Sequence, residues 1–208
     1  MHANFEGLLE THLTIAAGPA AVDFDVLERF AHEHALRCLH IVLPRGAHPS
    51  QPMLTRRVQA TLPRALADAA RLAAALAAAG LRVCRTKIEA PPDAAGVPAH
   101  DDGGGGRYFE SHVKLRLPLG ADLATPTAIA AAHGAHLSRN ARSTGTDGVE
   151  TRFVTQRVAG AGSLRASAAA RTLAAALDAA GLAVAGVETE YVVHDSNLSI
   201  DAGWIVAK

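Results

Sequence analysis

Two stretches place a histidine inside what reads as a β-strand. They are Glu10-Thr11-His12-Leu13-Thr14-Ile15 and Glu110-Ser111-His112-Val113-Lys114-Leu115, 100 residues apart. On a strand, residues two apart share a face, so each glutamate shares a face with its histidine. Imidazole is the side chain that exchanges protons near neutral pH. The echo continues, since Met53 to Val58 matches Phe153 to Val158, and the Ala/Leu run from Leu72 to Leu81 matches that from Leu173 to Leu182. Glu89 finds Glu190. A period of this kind indicates a tandem duplication of a unit of about half the chain.

The polar residues of these strands support three chemistries. The first is anion binding. Arg57, Arg157, Lys87 and Lys114 supply charge, Thr14, Thr55 and Thr155 supply hydroxyls, and His40 on the second strand joins them at the sheet edge. Arginine meets phosphate or carboxylate with two parallel N–H groups. His12 or His112 then acts as general acid or base in a hydrolysis, with Glu10, Glu110, Glu89 and Glu190 orienting the imidazoles and cations. The second is a divalent metal held by His12, Glu89, His112 and Glu190, two imidazoles and two carboxylates; it is the one cofactor considered, and none is assured. The third is a non-catalytic interface, either with another partner or in a homodimer whose sheets pair their charges across a two-fold axis. Against all three stands a plain solvated face, where cross-strand Glu–Arg pairs contribute about 0.2–1 kcal/mol each. Histidine in the middle of the first strand of both halves argues against that plain reading.

Two resemblances bear on these chemistries. His12-Leu13-Thr14 resembles the H-x-T form used twice in the two-lobed 2H phosphoesterases, but the symmetric place reads His112-Val113-Lys114, without the second hydroxyl. The paired His/Glu set is similar to that of vicinal-oxygen-chelate enzymes, whose repeat has one helix per unit where this one has two.

The elements that must position these residues follow from periodicity and breakers. Strands are expected over 9–16, 36–43, 52–59 and 81–90, and helices over 23–31 and 62–79, with Asp23 as N-cap, Gly18-Pro19 as a break and Gly80 as a stop. The second half repeats the order. Its strands are 108–118, 135–142, 149–159 and 182–193, and its turn is 144–148. Its helices begin at Thr125-Pro126, with proline at the first helical position, and at Ser163 as N-cap. Each half is β-α-β-β-α-β, a ferredoxin-like α+β unit with an antiparallel sheet and its helices on one face. The expected organisation is an N-terminal lobe over 1–92, a Gly/Pro-rich flexible linker over 93–107, a C-terminal lobe over 108–193 and a tail over 194–208. The tail, through Asp195 or Asn197, and the loop residues Arg45, His48, Ser50 and Gln51 are placed at the mouth of the same groove.

Composition narrows the partners. Among 208 residues, 20 Lys+Arg balance 20 Asp+Glu, so no broad nucleic-acid or anionic-membrane footprint is indicated. Cys38 and Cys84, with no C-x-x-C, read as free thiols in a reducing compartment. The N-terminus lacks a leader pattern and no apolar run is long enough to span a bilayer, so a cytoplasmic location is expected. The expected partner is a small anionic molecule, with phosphorylated ones among the candidates.

Overall fold

The structure is a computed structural model that describes residues 4–16, 22–101, 105–144 and 148–205. The Gly18-Pro19 break, Asp102 to Gly104 of the linker, most of the 144–148 turn and the last three residues of the tail lie outside the described residues.

The first half runs β1 (Glu6–Ile15), α1 (Phe24–Glu33), β2 (Arg37–Val42), β3 (Ser50–Thr61), α2 (Leu62–Ala78) and β4 (Val83–Ala90). The second runs β5 (Tyr108–Pro118), α3 (Ala124–Ala132), β6 (Ala135–Thr144), β7 (Val149–Ala159), α4 (Ser163–Ala179) and β8 (Ala183–Asp195), followed by a 3-10 helix, Leu198–Asp201. Local chemistry sets these limits. Asp23 caps α1, its carboxylate accepting from Asp25 N at 2.9 Å and Val26 N at 3.2 Å. Gly80 and Gly181, at φ +79° and +78°, turn the chain out of α2 and α4 in the left-handed region that a side chain disfavours. Two expected starts shift. Pro126 is the third helical residue, not the first: the cap residue is Leu123, and the Asp122 carboxylate before it accepts from Ala124 N at 2.9 Å. Gly162, not Ser163, is the cap residue of α4.

Every strand pairs antiparallel, and the order is β1-β3-β2-β6-β7-β5-β8-β4, closed into a barrel. Within each half the order is 4-1-3-2, as the motif predicts. The expected free edges do not exist, because β2 pairs with β6 and β4 with β8. The two sheets therefore face each other and enclose a lumen. The helices pack outside. Leu13, Ile15 and Leu54 meet Leu27, Phe30, Leu72 and Leu76 of α1 and α2. Val113, Leu115 and Val154 meet Ala130, Leu173 and Leu177 of α3 and α4. A third cluster, with Phe5, Leu9, Ile88, Phe109 and Tyr191, joins the halves. With alternate residues committed to the helices, their neighbours must point into the lumen.

The described part of the connector is tied to both halves. Ala95 O accepts from Glu6 N, and Pro98 O and Ala99 O accept from the first amides of α4. No helix among the described residues is long and apolar enough to cross a membrane.

Because Leu173 is fully buried, Leu173→Ala is expected to destabilise the protein by about 2–5 kcal/mol in urea unfolding. A loss below about 1 kcal/mol would contradict this packing.

Candidate functional site

The lumen is where the charged residues meet. β1 lies between β3 and β4, so Glu10 is flanked by Arg57 and Glu89, His12 by Thr55 and Lys87, and Thr14 by Met53 and Arg85. β5 lies between β7 and β8, so Glu110 is flanked by Arg157 and Glu190, and His112 by Thr155 and Glu188. Closure removes the plain solvated reading, since Glu10, Lys87, Glu89, Glu110 and Glu190 are all buried.

These groups form one continuous chain of ion pairs. At the tail end, Arg85 binds Asp195 with two N–H groups, at 2.9 and 2.6 Å, and Tyr108 Oη donates to the same carboxylate at 2.7 Å. Asp201, from the 3-10 helix, joins Arg85 to Arg157, which donates to it at 2.7 Å. Arg157 also holds Glu110, at 3.1 and 2.6 Å. The Lys87 ammonium stands between Glu110 Oε2 at 2.5 Å and Glu89 Oε1 at 2.8 Å. His12 Nε2 is 2.5 Å from Glu89 Oε2. That carboxylate lies off the ring N–H direction, and neither ring nitrogen completes a hydrogen bond among the described residues. Beyond it, Arg57 binds Glu10 and Glu188 closely and reaches Glu190 at 3.5 Å. Thr55 donates to Glu10 at 2.6 Å, and Thr155 Oγ1 is 3.0 Å from His112 Nδ1.

Proton affinities follow the neighbours. Burial would raise the Glu110 carboxyl, but Lys87 and Arg157 outweigh it and hold it well below its ordinary value. Burial opposes ionisation of Glu89 too, but Lys87 and His12 bring it to about 2. Glu190 goes the other way. Burial, then the charges of Glu89, Glu188 and Glu10, push it up to about 9, so it is protonated at neutral pH. Burial lowers the His112 imidazole against the pull of Glu110, which favours the neutral ring.

At the tail end lies a cavity of about 800 Å³, between the starts of β5 and β6, the end of β7 and the 3-10 helix. Arg107, Arg157, Arg165, His133 and His136 line it, with Asp201 as the one carboxylate of the lining among the described residues. Burial lowers the His136 imidazole, and so do the charges of Arg45 and Arg157. A positive potential at that ring is the physical meaning of those two contributions.

The sequence-derived residues distribute unevenly. His12, His112, Arg57, Arg157, Lys87, Thr55, Thr155, Glu10, Glu110, Glu89 and Glu190 all belong to the lumen. Thr14 is buried there too, and its hydroxyl has no hydrogen-bond partner among the described residues. Lys114 is exposed. His40 requires correction. It shares a face with Cys38, which packs with the cluster under α1, so it points away from the lumen. Its ring lies 4.8 Å from that of Phe24, and Nε2 is 2.8 Å from Ser50 Oγ. Among these sequence-derived residues, only Arg157 lines the cavity. Tyr108, His136 and Asp201 were missed, whereas Asp195, expected from the tail, meets Arg85. Strand alternation could have found Tyr108, two residues before Glu110, but no periodic signal marks Asp201.

The expected four-ligand metal set is not what comes together most closely. Glu89, Glu110 and His112 bring one ligand atom each within 4.8 Å of one another. The three present a fitting donor set, two carboxylates and an imidazole. The Lys87 ammonium already pairs with both carboxylates.

The chain matches no protein-family model and no curated protein. Among solved structures it is similar to that of chlorite dismutase from Candidatus Nitrospira defluvii in complex with imidazole, at 11% identity and a TM-score of 0.29, over 91% of this chain and 92% of that one.

Glu190 supplies a pH test. Its folded-state value of about 9 exceeds the ordinary 4.5, so its contribution is complete at acid pH and is lost as pH rises toward 9. Glu190→Gln is therefore expected to gain stability relative to wild type progressively over that window in chemical denaturation. A difference that does not change with pH would contradict the protonated carboxyl.

Proposed function

We propose that this protein binds a small anion, one bearing a carboxylate or phosphoryl group, in the cavity at the tail end of the barrel. The observation that carries the reading is the lining, in which, among the described residues, three arginines and two histidines outnumber the carboxylate of Asp201, with Arg157 also paired to Glu110 and Arg165 to Asp101. Such a surface favours negative charge, and arginine meets two oxygens of one group at once. The volume of about 800 Å³ suits a metabolite-sized ligand. If the bound anion is hydrolysed, an imidazole of the barrel is the acid–base group. His136 borders the cavity, whereas His12 and His112 lie deeper in the lumen. The halves share element order, strand order and the matched positions Glu10/Glu110, His12/His112 and Arg57/Arg157, which supports a tandem duplication as the origin of the chain. The free Cys38 and Cys84 suit a reducing cytosol.

A second reading rests on Glu89, Glu110 and His112, which could hold a divalent ion if Lys87 swings aside. A stoichiometric ion retained in purified protein would support it, and its absence from that protein would remove it.

Calorimetric titration with inorganic phosphate tests the anion reading. Wild type is expected to bind saturably, and Arg107→Ala and Arg165→Ala each to weaken binding about 10-fold, or about 1.4 kcal/mol. His12→Ala should bind like wild type. Failure of wild type to bind, or loss confined to His12→Ala, would contradict the cavity as the seat.

A further inference from the structure

We propose that the arginine pair Arg85 and Arg157, with Gln51, forms the seat for the ligand's anionic group, and that the Asp201 carboxylate fills this seat as an internal stand-in. This inference rests on the anion reading and deepens it, because Asp201 also lines the cavity.

Asp201 is almost fully buried. Its Oδ1 accepts from Arg85 at 3.2 Å and from Gln51 Nε2 at 3.5 Å. Its Oδ2 accepts from Arg157 at 2.7 Å and lies 3.1 Å from a second Arg85 nitrogen. The donors come from the barrel wall, on β3, β4 and β7. The acceptor comes from the tail, on a 3-10 helix of four residues. One carboxylate thus takes donors from three strands, as a bound carboxylate or phosphoryl group would.

The seat does not depend on its occupant. Arg85 is fixed by Asp195 on β8, and Arg157 by Glu110 on β5. These wall carboxylates would keep both guanidinium groups in place without Asp201. The buried donors facing Asp201 would then lack an acceptor, which is costly until another anion arrives.

The tail has anchors of its own. Ala47 N donates to Ala202 O at 2.9 Å, Trp204 Nε1 donates to Leu137 O at 3.3 Å, and Asn197 Nδ2 donates to Cys84 O at 3.0 Å. Gly46, at φ +108°, lets the two segments approach, since a Cβ there would stand 3.0 Å from Ala202 O. Loss of the Asp201 carboxylate alone therefore leaves the tail docked.

The test compares wild type, Asp201→Ala and the isosteric Asp201→Asn in titrations with inorganic phosphate and with acetate. Both variants are expected to bind phosphate about 10-fold more tightly than wild type. Acetate, as an exogenous carboxylate, should raise the Tm of Asp201→Ala more than that of wild type, whose seat is already filled. If Asp201→Ala does not fold, Asp201→Asn carries the comparison. Equal or weaker binding by the folded variants, with wild type still binding, would make Asp201 a structural latch, overturning this inference and leaving the cavity reading intact. No phosphate binding by any of the three proteins would overturn both.

Discussion

The rest of the structure depends on one constraint: charges closed inside a barrel must neutralise one another there. Lys87 is the clearest case. Its ammonium sits in the lumen between Glu89 and Glu110, both nearly devoid of solvent. Removing an ion from water costs several kcal/mol, which only close partners of opposite sign offset. Glu110 answers to two cations and Glu89 to a cation and an imidazole, so both ionise. Glu190 has three carboxylates around it and keeps its proton. Placement of each charge thus decides the protonation of its neighbours, and the network holds only while the barrel is closed.

The two ends of the lumen then differ in the groups they gather. Toward Arg57, the carboxylates Glu10, Glu188 and Glu190 crowd together. Toward the tail, Arg85 and Arg157 converge, and the cavity beside them adds Arg107 and Arg165. The tail brings in Asp201, whose charge compensates the arginine pair. The cavity arginines separate the anion reading from the metal reading. An anion is favoured where arginines line open space, whereas a divalent ion must displace a lysine from the middle of the network.

Much of this was legible in the sequence because it follows local rules. The period between His12 and His112, the alternation along β1 and β5, and Asp23, Gly80 and Gly181 as helix signals are properties of neighbouring residues. The flanking of β1 by β3 and β4 follows from the motif. Closure was not legible, since the β2–β6 and β4–β8 pairings join strands from different halves, and local alternation has no term for a partner that distant. The error on His40 has the same origin. A supposed sheet edge could offer its imidazole to a groove, whereas the register with Pro52 and the packing of Cys38 assign it to the helix side. Asp201 stands outside the repeat and outside any strand, so neither symmetry nor alternation points to it. The burial of Arg85 and Lys87 likewise depends on closure, because either side chain alone reads as a surface charge.

The most direct test of the charge separation within the barrel is an NMR titration of the arginine side-chain Nε–H resonances with inorganic phosphate. Saturable shifts are expected at Arg107, Arg157 and Arg165, with Arg57 at the carboxylate-rich end unmoved. Shifts centred on Arg57, or none at the cavity arginines, would contradict it.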